Sequence, residues 1–184
     1  MRRFAIACFL AGLSLSVATA EPVKSGLEPG KKVAPYSFHV ATGPERGQQT
    51  CYICETGGRP AVLVFARSLT PSLGKLLDQC DQLLVKQPKE GGRGWATILG
   101  EKTVDLDSLA KWSKEQGLKL MPVGVFDDPV GPPAYRLHAD ADVTVMLFTA
   151  RKVTHRFSFR ANELTDSAIA TIVQEFTAIA PPQK

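Results

Sequence analysis

Six consecutive apolar residues, Ala61-Val62-Leu63-Val64-Phe65-Ala66, set the terms on which this chain can fold. The run is bounded by Gly57-Gly58 before it and Arg67-Ser68 after it, and its unbroken hydrophobicity reads as a central strand buried on both faces. Such a strand needs neighbours in a sheet and a covering layer on each side. Just ahead of it stand Cys51 and Cys54, a C-x-x-C pair, the only reactive residues at a recognisable spacing. The pair precedes the strand, and that order matters below.

The flanking patterns supply the layers. Residues 36–41 alternate Tyr36, Phe38 and Val40 against Ser37, His39 and Ala41, as a half-buried strand does. After the turn-rich 42–47, residues 49–54 are expected to return as the second strand of a hairpin. Beyond the central strand, Thr70 can cap a helix with Pro71 in its first position. Leu73, Leu76, Leu77, Cys80, Leu83 and Leu84 then form one helical stripe, which places Cys80 in the core as a small apolar side chain. A strand is expected over 95–99, and a helix capped by Asp105 or Asp107 runs through Gln116 to Gly117. Residues 118–126 form a third apolar strand, interrupted by Pro122 and so near an edge or bulged. A Pro-rich connection over 127–142, with a helical turn around Tyr135, leads to a hairpin of 143–149 and 153–159. Thr165 or Asp166 caps a last helix with Ile169, Ile172, Val173, Phe176 and Ile179 on one face. The order predicts an α/β fold: a three-layer α/β/α sandwich with a mixed central sheet and an N-terminal β-hairpin extension.

Met1-Arg2-Arg3, the mostly apolar 4–17 and Ala18-Thr19-Ala20 together have the form of a secretory signal peptide cleaved near Ala20. That division leaves a flexible linker over 21–35, a domain over 36–180 and a tail over 181–184, exported to the periplasm or the medium. The apolar segment falls short of the ~20 residues of a span, so no membrane attachment is expected after cleavage. The formal charge is +4, and removal of Arg2 and Arg3 lowers it to +2. A chain so near neutrality, with no Lys/Arg run, is not an electrostatic nucleic-acid binder. Losing Cys8 with the leader reduces four cysteines to three, too few for a disulfide-built scaffold and unnecessary in a domain large enough to bury its own core.

The element order, with C-x-x-C near the first long strand, resembles the thioredoxin superfamily, and most nearly its peroxiredoxin and redoxin branch. There an N-terminal "pG..aP.f.l...G" segment runs into a "GkPvvLvF" strand. Here the residues Glu28-Pro29-Gly30-Lys31-Lys32-Val33-Ala34-Pro35-Tyr36-Ser37-Phe38 and Gly58-Arg59-Pro60-Ala61-Val62-Leu63-Val64-Phe65 follow that form. Tyr135 matches a tyrosine common before the penultimate hairpin. The resemblance implies a thioredoxin-like fold and a protein thiol or disulfide as partner. Two hallmarks are missing. The family's attacking cysteine follows the strand at the next helix N-terminus, where the helix end favours thiolate; Thr70 matches the family threonine three residues ahead of it, but Leu73 occupies the cysteine's place. The family's cis-proline should fall near Asp142-Val143-Thr144, which holds none.

Cys51 and Cys54 are thus the candidate catalytic residues, with Cys51 the nucleophile by resemblance. In an extended strand, residues three apart lie ~10 Å apart and cannot bond, so the pair requires a turn, which Glu55-Thr56-Gly57-Gly58 favours. Three readings stay open: a redox couple, a structural or inert pair on a non-catalytic binding module, and a metal site. The last is the weakest, because His39, Cys80, His138 and His155 form no second ligand pair. Glu55 stands where a haem-attachment motif needs histidine, and no cofactor is expected. His138, Asp140 and Asp142 lack calcium-loop spacing and read as a solvated cluster. Trp95 and Trp112 read as packing residues, while Ser68, Thr70 and Ser72 stand where the family's site opens.

Overall fold

The computed structural model describes residues 21–87, 91–100 and 105–180; the leader expected over 1–20 and the tail over 181–184 lie outside the described residues. Along the chain come β1 (Phe38–Val40), β2 (Gln49–Thr50), α1 (Tyr52–Thr56), β3 (Ala61–Ala66), α2 (Pro71–Val85) and β4 (Arg93–Leu99). Then follow α3 (Leu106–Glu115), β5 (Val123–Phe126), a 3-10 turn (Pro133–Tyr135), β6 (Val143–Thr149), β7 (Lys152–Phe159) and α4 (Asp166–Ile179). The strands form one mixed sheet in the order β2-β1-β5-β4-β3-β6-β7. β3 runs parallel to β4 and antiparallel to β6, and every one of its residues is buried.

Alternate residues of β3 feed two separate cores. Val62, Val64 and Ala66 join Leu73, Leu76 and Leu77 of α2, Leu109 of α3, and Ile169, Ile172 and Phe176 of α4. All three long helices share this face because right-handed crossovers linking β3, β4 and β5 in one direction place α2 and α3 on the same side. Ala61, Leu63 and Phe65 face the other way, among Tyr36, Phe38, Tyr52, Trp95, Tyr135 and Phe148. That second layer is thin, made of α1, the 3-10 turn and the N-terminal arm, and large rings fill it. Their polar ends are matched inside: Trp95 Nε1 donates to Tyr36 Oη at 2.9 Å, Tyr36 Oη meets Thr97 Oγ1 at 2.7 Å, and Tyr135 Oη donates to the Ala34 carbonyl at 2.6 Å.

The caps fall where the sequence puts them: Thr70 accepts from Leu73 N, Asp105 from Asp107 N and Ser108 N, and Thr165 from Ala168 N. Three stretches differ from expectation. The strand expected over 49–54 stops at Thr50 and turns into α1, since Tyr52 and Ile53 are both drawn into the aromatic core. The strand expected over 118–126 is regular only from Val123, because the N–H groups of residues 119–121 go to the Asp81 carboxylate instead. The stretch 21–35, expected as a linker, is laid antiparallel along β7, from Ser25 beside Ser158 to Val33, which donates to the Arg151 carbonyl at 3.0 Å. Val23, Leu27 and Val33 are buried there: residues 30–33 pair with the start of β7, and residues 25–27 lie across the aromatic face over Thr144 and Met146.

Candidate functional site

α1 supplies the turn that the cysteine pair requires. Cys51 is its N-cap: the Cys54 N–H donates to the Cys51 carbonyl at 3.0 Å and also approaches Cys51 Sγ at 3.3 Å. One helical turn brings the two Cα atoms to 5.4 Å, inside the range of a disulfide, and the two sulfurs are bonded. The same turn sorts the four residues. Tyr52 and Ile53 point inward, Tyr52 packing its ring 5.5 Å from Phe38 and 5.7 Å from Trp95 and donating from Oη to Glu45 Oε2 at 3.0 Å. Burial is the main reason that the Tyr52 hydroxyl is held well above its ordinary pKa, with the Glu45 carboxylate adding to it. Cys51 is left half-buried and Cys54 exposed. Gly57, at φ 64°, ends the helix in a conformation that disfavours other residues.

Two arginines that sequence proximity alone does not bring together brace the far end of α1. Arg59 donates to the Thr56 and Glu55 carbonyls at 3.2 and 3.1 Å. Arg93, at the start of β4, pairs with Glu55 Oε2 at 3.0 Å and lies over the Tyr52 ring, 5.2 Å from its centroid. With Tyr52, Leu84, Leu120 and Pro122 they line a cleft of about 350 Å³, to which neither cysteine contributes. Arg93 lies 38 residues from Glu55, and no periodicity in the sequence announces the contact.

The place where the resemblance puts the attacking cysteine is occupied and tied down. Arg67, directly after β3, donates from Nε to the Ala141 carbonyl at 3.0 Å, from Nη2 to the His138 carbonyl at 3.3 Å and from Nη1 to the Pro129 carbonyl. Ser68 Oγ donates to Asp142 Oδ1 at 2.6 Å, and Thr70 is spent on its cap. Leu73 is fully buried, and no peptide bond among the described residues is cis. The Cys51–Cys54 pair lies at the other end of β3, before Ala61, and six strand residues separate the two ends by roughly 17 Å. Cys80 is fully buried, its thiol pushed up to about 12 first by burial and then by the charge of Asp81, so it holds no thiolate near neutrality. In the 138–142 loop, His138 Nδ1 accepts from the Asp140 N–H at 3.1 Å, while Asp142 turns away to Ser68. Among the described residues no three His, Cys, Asp or Glu side chains converge as a metal site would require.

The β3-α2-β4 crossover, followed by the β6-β7 hairpin and α4 on the same sheet, decides the architecture. The fold is thioredoxin-like. Solved structures agree: a candidate protein disulfide isomerase from Bacteroides thetaiotaomicron superposes with a TM-score of 0.64 at 16% identity, over 86% of this chain and 94% of that one. A candidate thiol:disulfide interchange protein, DsbE, from Chlorobium tepidum gives 0.57 at 18% identity over 82% and 99% of the two chains. Peroxidoxin BcpB from Mycobacterium tuberculosis gives 0.55 at 19% identity over 81% and 97%. No protein-family model matches the sequence, and no curated protein matches it. The likeness is one of fold, and this thioredoxin-like chain carries its cysteine pair at the end of the sheet opposite the place the family uses. Among the described residues no helix is long and apolar enough to cross a membrane.

Proposed function

We propose that this is an exported thiol–disulfide redox protein whose working couple is Cys51–Cys54. The observation that carries the reading is a disulfide closed across one surface helical turn with one sulfur-bearing residue exposed, on a fold whose solved relatives include thiol:disulfide exchangers. Export rests on the N-terminal pattern of two arginines, an apolar segment and Ala18-Thr19-Ala20.

We give the two sulfurs different duties from those the resemblance implies, because Cys54 is the more exposed of the two. A partner thiolate meets Cys54, the outer residue; a bond forms from its sulfur to Cys54 Sγ, the Cys51–Cys54 bond breaks, and Cys51 leaves as thiolate. The Cys54 N–H that approaches Cys51 Sγ is placed to stabilise that charge. A second partner thiolate then attacks the partner's sulfur in the mixed disulfide, so the partner leaves oxidised and the protein carries two thiols.

The test is the reduction potential of the pair, by alkylation and mass analysis across a glutathione series. A value in the working range of oxidoreductases, roughly −120 to −270 mV, is expected, with Cys80 unlabelled until the protein is unfolded. Cys51→Ser, which leaves the Cys54 thiol, should trap oxidised partners more readily than Cys54→Ser: Cys54 attacks the partner disulfide, the partner's other sulfur leaves as thiolate, and the mixed disulfide has no Cys51 to resolve it. A bond that resists reduction below roughly −300 mV would exclude a cycling couple. It would favour the second reading, a binding module with a structural disulfide, which the closed-off end at Arg67 and Leu73 favours.

A further inference from the structure

A second site lies on the opposite side of the aromatic layer from the helices, where the N-terminal arm, the 3-10 turn and β7 enclose a concavity of about 390 Å³. Its charged lining is Lys24, Lys31, Lys32, Arg136 and Arg156 against the single carboxylate of Glu28. We infer that this concavity binds a small, multiply charged oxyanion of the phosphate class. Five cations against one anion concentrate a net +4 in one hollow, as much as the formal charge of the entire chain. None of the five forms an ion pair among the described residues, although four lysine or arginine pairs with carboxylates are made elsewhere.

The groups are also held in place by the fold. Arg156 is half-buried on β7 and donates one N–H, from Nη1, to the Gly26 carbonyl at 3.2 Å, which leaves the rest of its planar fork for a ligand. Arg136 ends the 3-10 turn in the left-handed region, at φ 53° and ψ 47°, a conformation that disfavours a non-glycine residue. Its carbonyl accepts from Gly26 N at 3.3 Å, so the strained residue is pinned to the arm and its side chain lines the hollow. Gly26 itself lies so close to the sheet that a Cβ there would stand 2.8 Å from Thr144 Cγ2. Gly30 N donates to the Val153 carbonyl at 2.8 Å and Val153 N to the Lys31 carbonyl at 2.9 Å, which fixes the backbone that carries the lysines. The hollow is of the size of small-molecule sites, larger than a single phosphate needs, which suits a phosphate ester or a diphosphate. Arginine and lysine around a phosphate make the short charge-assisted hydrogen bonds that such a ligand requires.

The experiment titrates the full oxidised chain with inorganic pyrophosphate by calorimetry at constant ionic strength, beside Arg136→Gln, Arg156→Gln and, as a distant control, Lys111→Gln. Saturable one-to-one binding is expected, weakened about tenfold or more by each arginine substitution, as loss of a charge-assisted hydrogen bond does, and unchanged in the control. Thermal melts of each variant without ligand separate loss of binding from loss of fold. Flotation with phosphatidic acid vesicles identifies the source: retention that pyrophosphate competes away assigns the phosphate to a lipid headgroup, and saturable binding without retention assigns it to a free compound. Binding that is absent, or equal in folded Arg136→Gln and in Lys111→Gln, would overturn the site and leave the cations as charges guarding a sheet edge.

Discussion

Asp81 sits on α2, directly after the buried Cys80, and is 2% exposed. Its Oδ1 accepts the backbone N–H groups of Lys119, Leu120 and Met121 at 3.0, 2.7 and 2.7 Å. One carboxylate oxygen therefore does for residues 119–121 what a neighbouring strand does elsewhere, and fixes how the chain enters β5. Replacing Asp81 by alanine leaves three donors without a partner; at about 1 kcal/mol each, the low end of the range because Leu120 lies at the surface, the loss should be about 3 kcal/mol. Asp81→Asn keeps an oxygen in place and should lose about 1 kcal/mol. Urea unfolding monitored by tryptophan fluorescence decides it, and an alanine variant as stable as the parent would mean that water replaces the carboxylate. A lone aspartate beside an apolar stripe reads from sequence as solvent-facing, and its partners lie 38 to 40 residues away. Thr70, Asp105 and Thr165 could be read because a capping side chain serves N–H groups two or three residues on.

At the scale of elements, α1 was legible in one respect and not in another. The cysteine spacing is visible in the sequence, but a five-residue helix is too short to print a period, and its existence depends on Tyr52 and Ile53 reaching a core assembled from β1, β3 and β4. The hairpin that carries α1 pairs with the rest of the sheet through β1 on β5, in a register that sets His39 against Val125 and Val40 against Gly124. Gly124 makes that approach close: a Cβ there would stand 2.3 Å from the His39 carbonyl oxygen and 2.6 Å from the Phe38 ring. Gly124→Ala should push β1 off β5 and destabilise by about 1–3 kcal/mol, the usual penalty of overpacking. The loss should be local. Hydrogen exchange is expected to accelerate over 38–56 while β3 and β4 keep their protection, and uniform acceleration across the sheet would show that the hairpin is not a separable unit.

The whole molecule was the most legible level, because strand and helix alternation with a terminal hairpin leaves few topologies for the sheet. The order in the chain also placed the cysteines ahead of β3, and hence at the end of the sheet opposite the α2 N-terminus. What no pattern supplied is the thinness of the aromatic layer and the arm that completes it, since the arm's three buried apolar residues are scattered among Gly, Pro and Lys. With two cores flanking β3, the disulfide has little structural work to do. Its bond closes a loop of only four residues, and constraining so short a loop in the unfolded chain stabilises by about 2 kcal/mol. Domains of this size have roughly 5–15 kcal/mol in hand, so the reduced protein should stay folded. Reduction, or the Cys51→Ser and Cys54→Ser double substitution, should lower Tm by about 4–8 °C and leave the far-ultraviolet circular dichroism unchanged at 25 °C. Collapse of the fold on reduction would make the pair a staple, since a couple that unfolds its carrier each time it is reduced cannot cycle. Retention of the fold leaves both oxidation states available to the same molecule, which is the condition an exchange reaction at Cys54 requires.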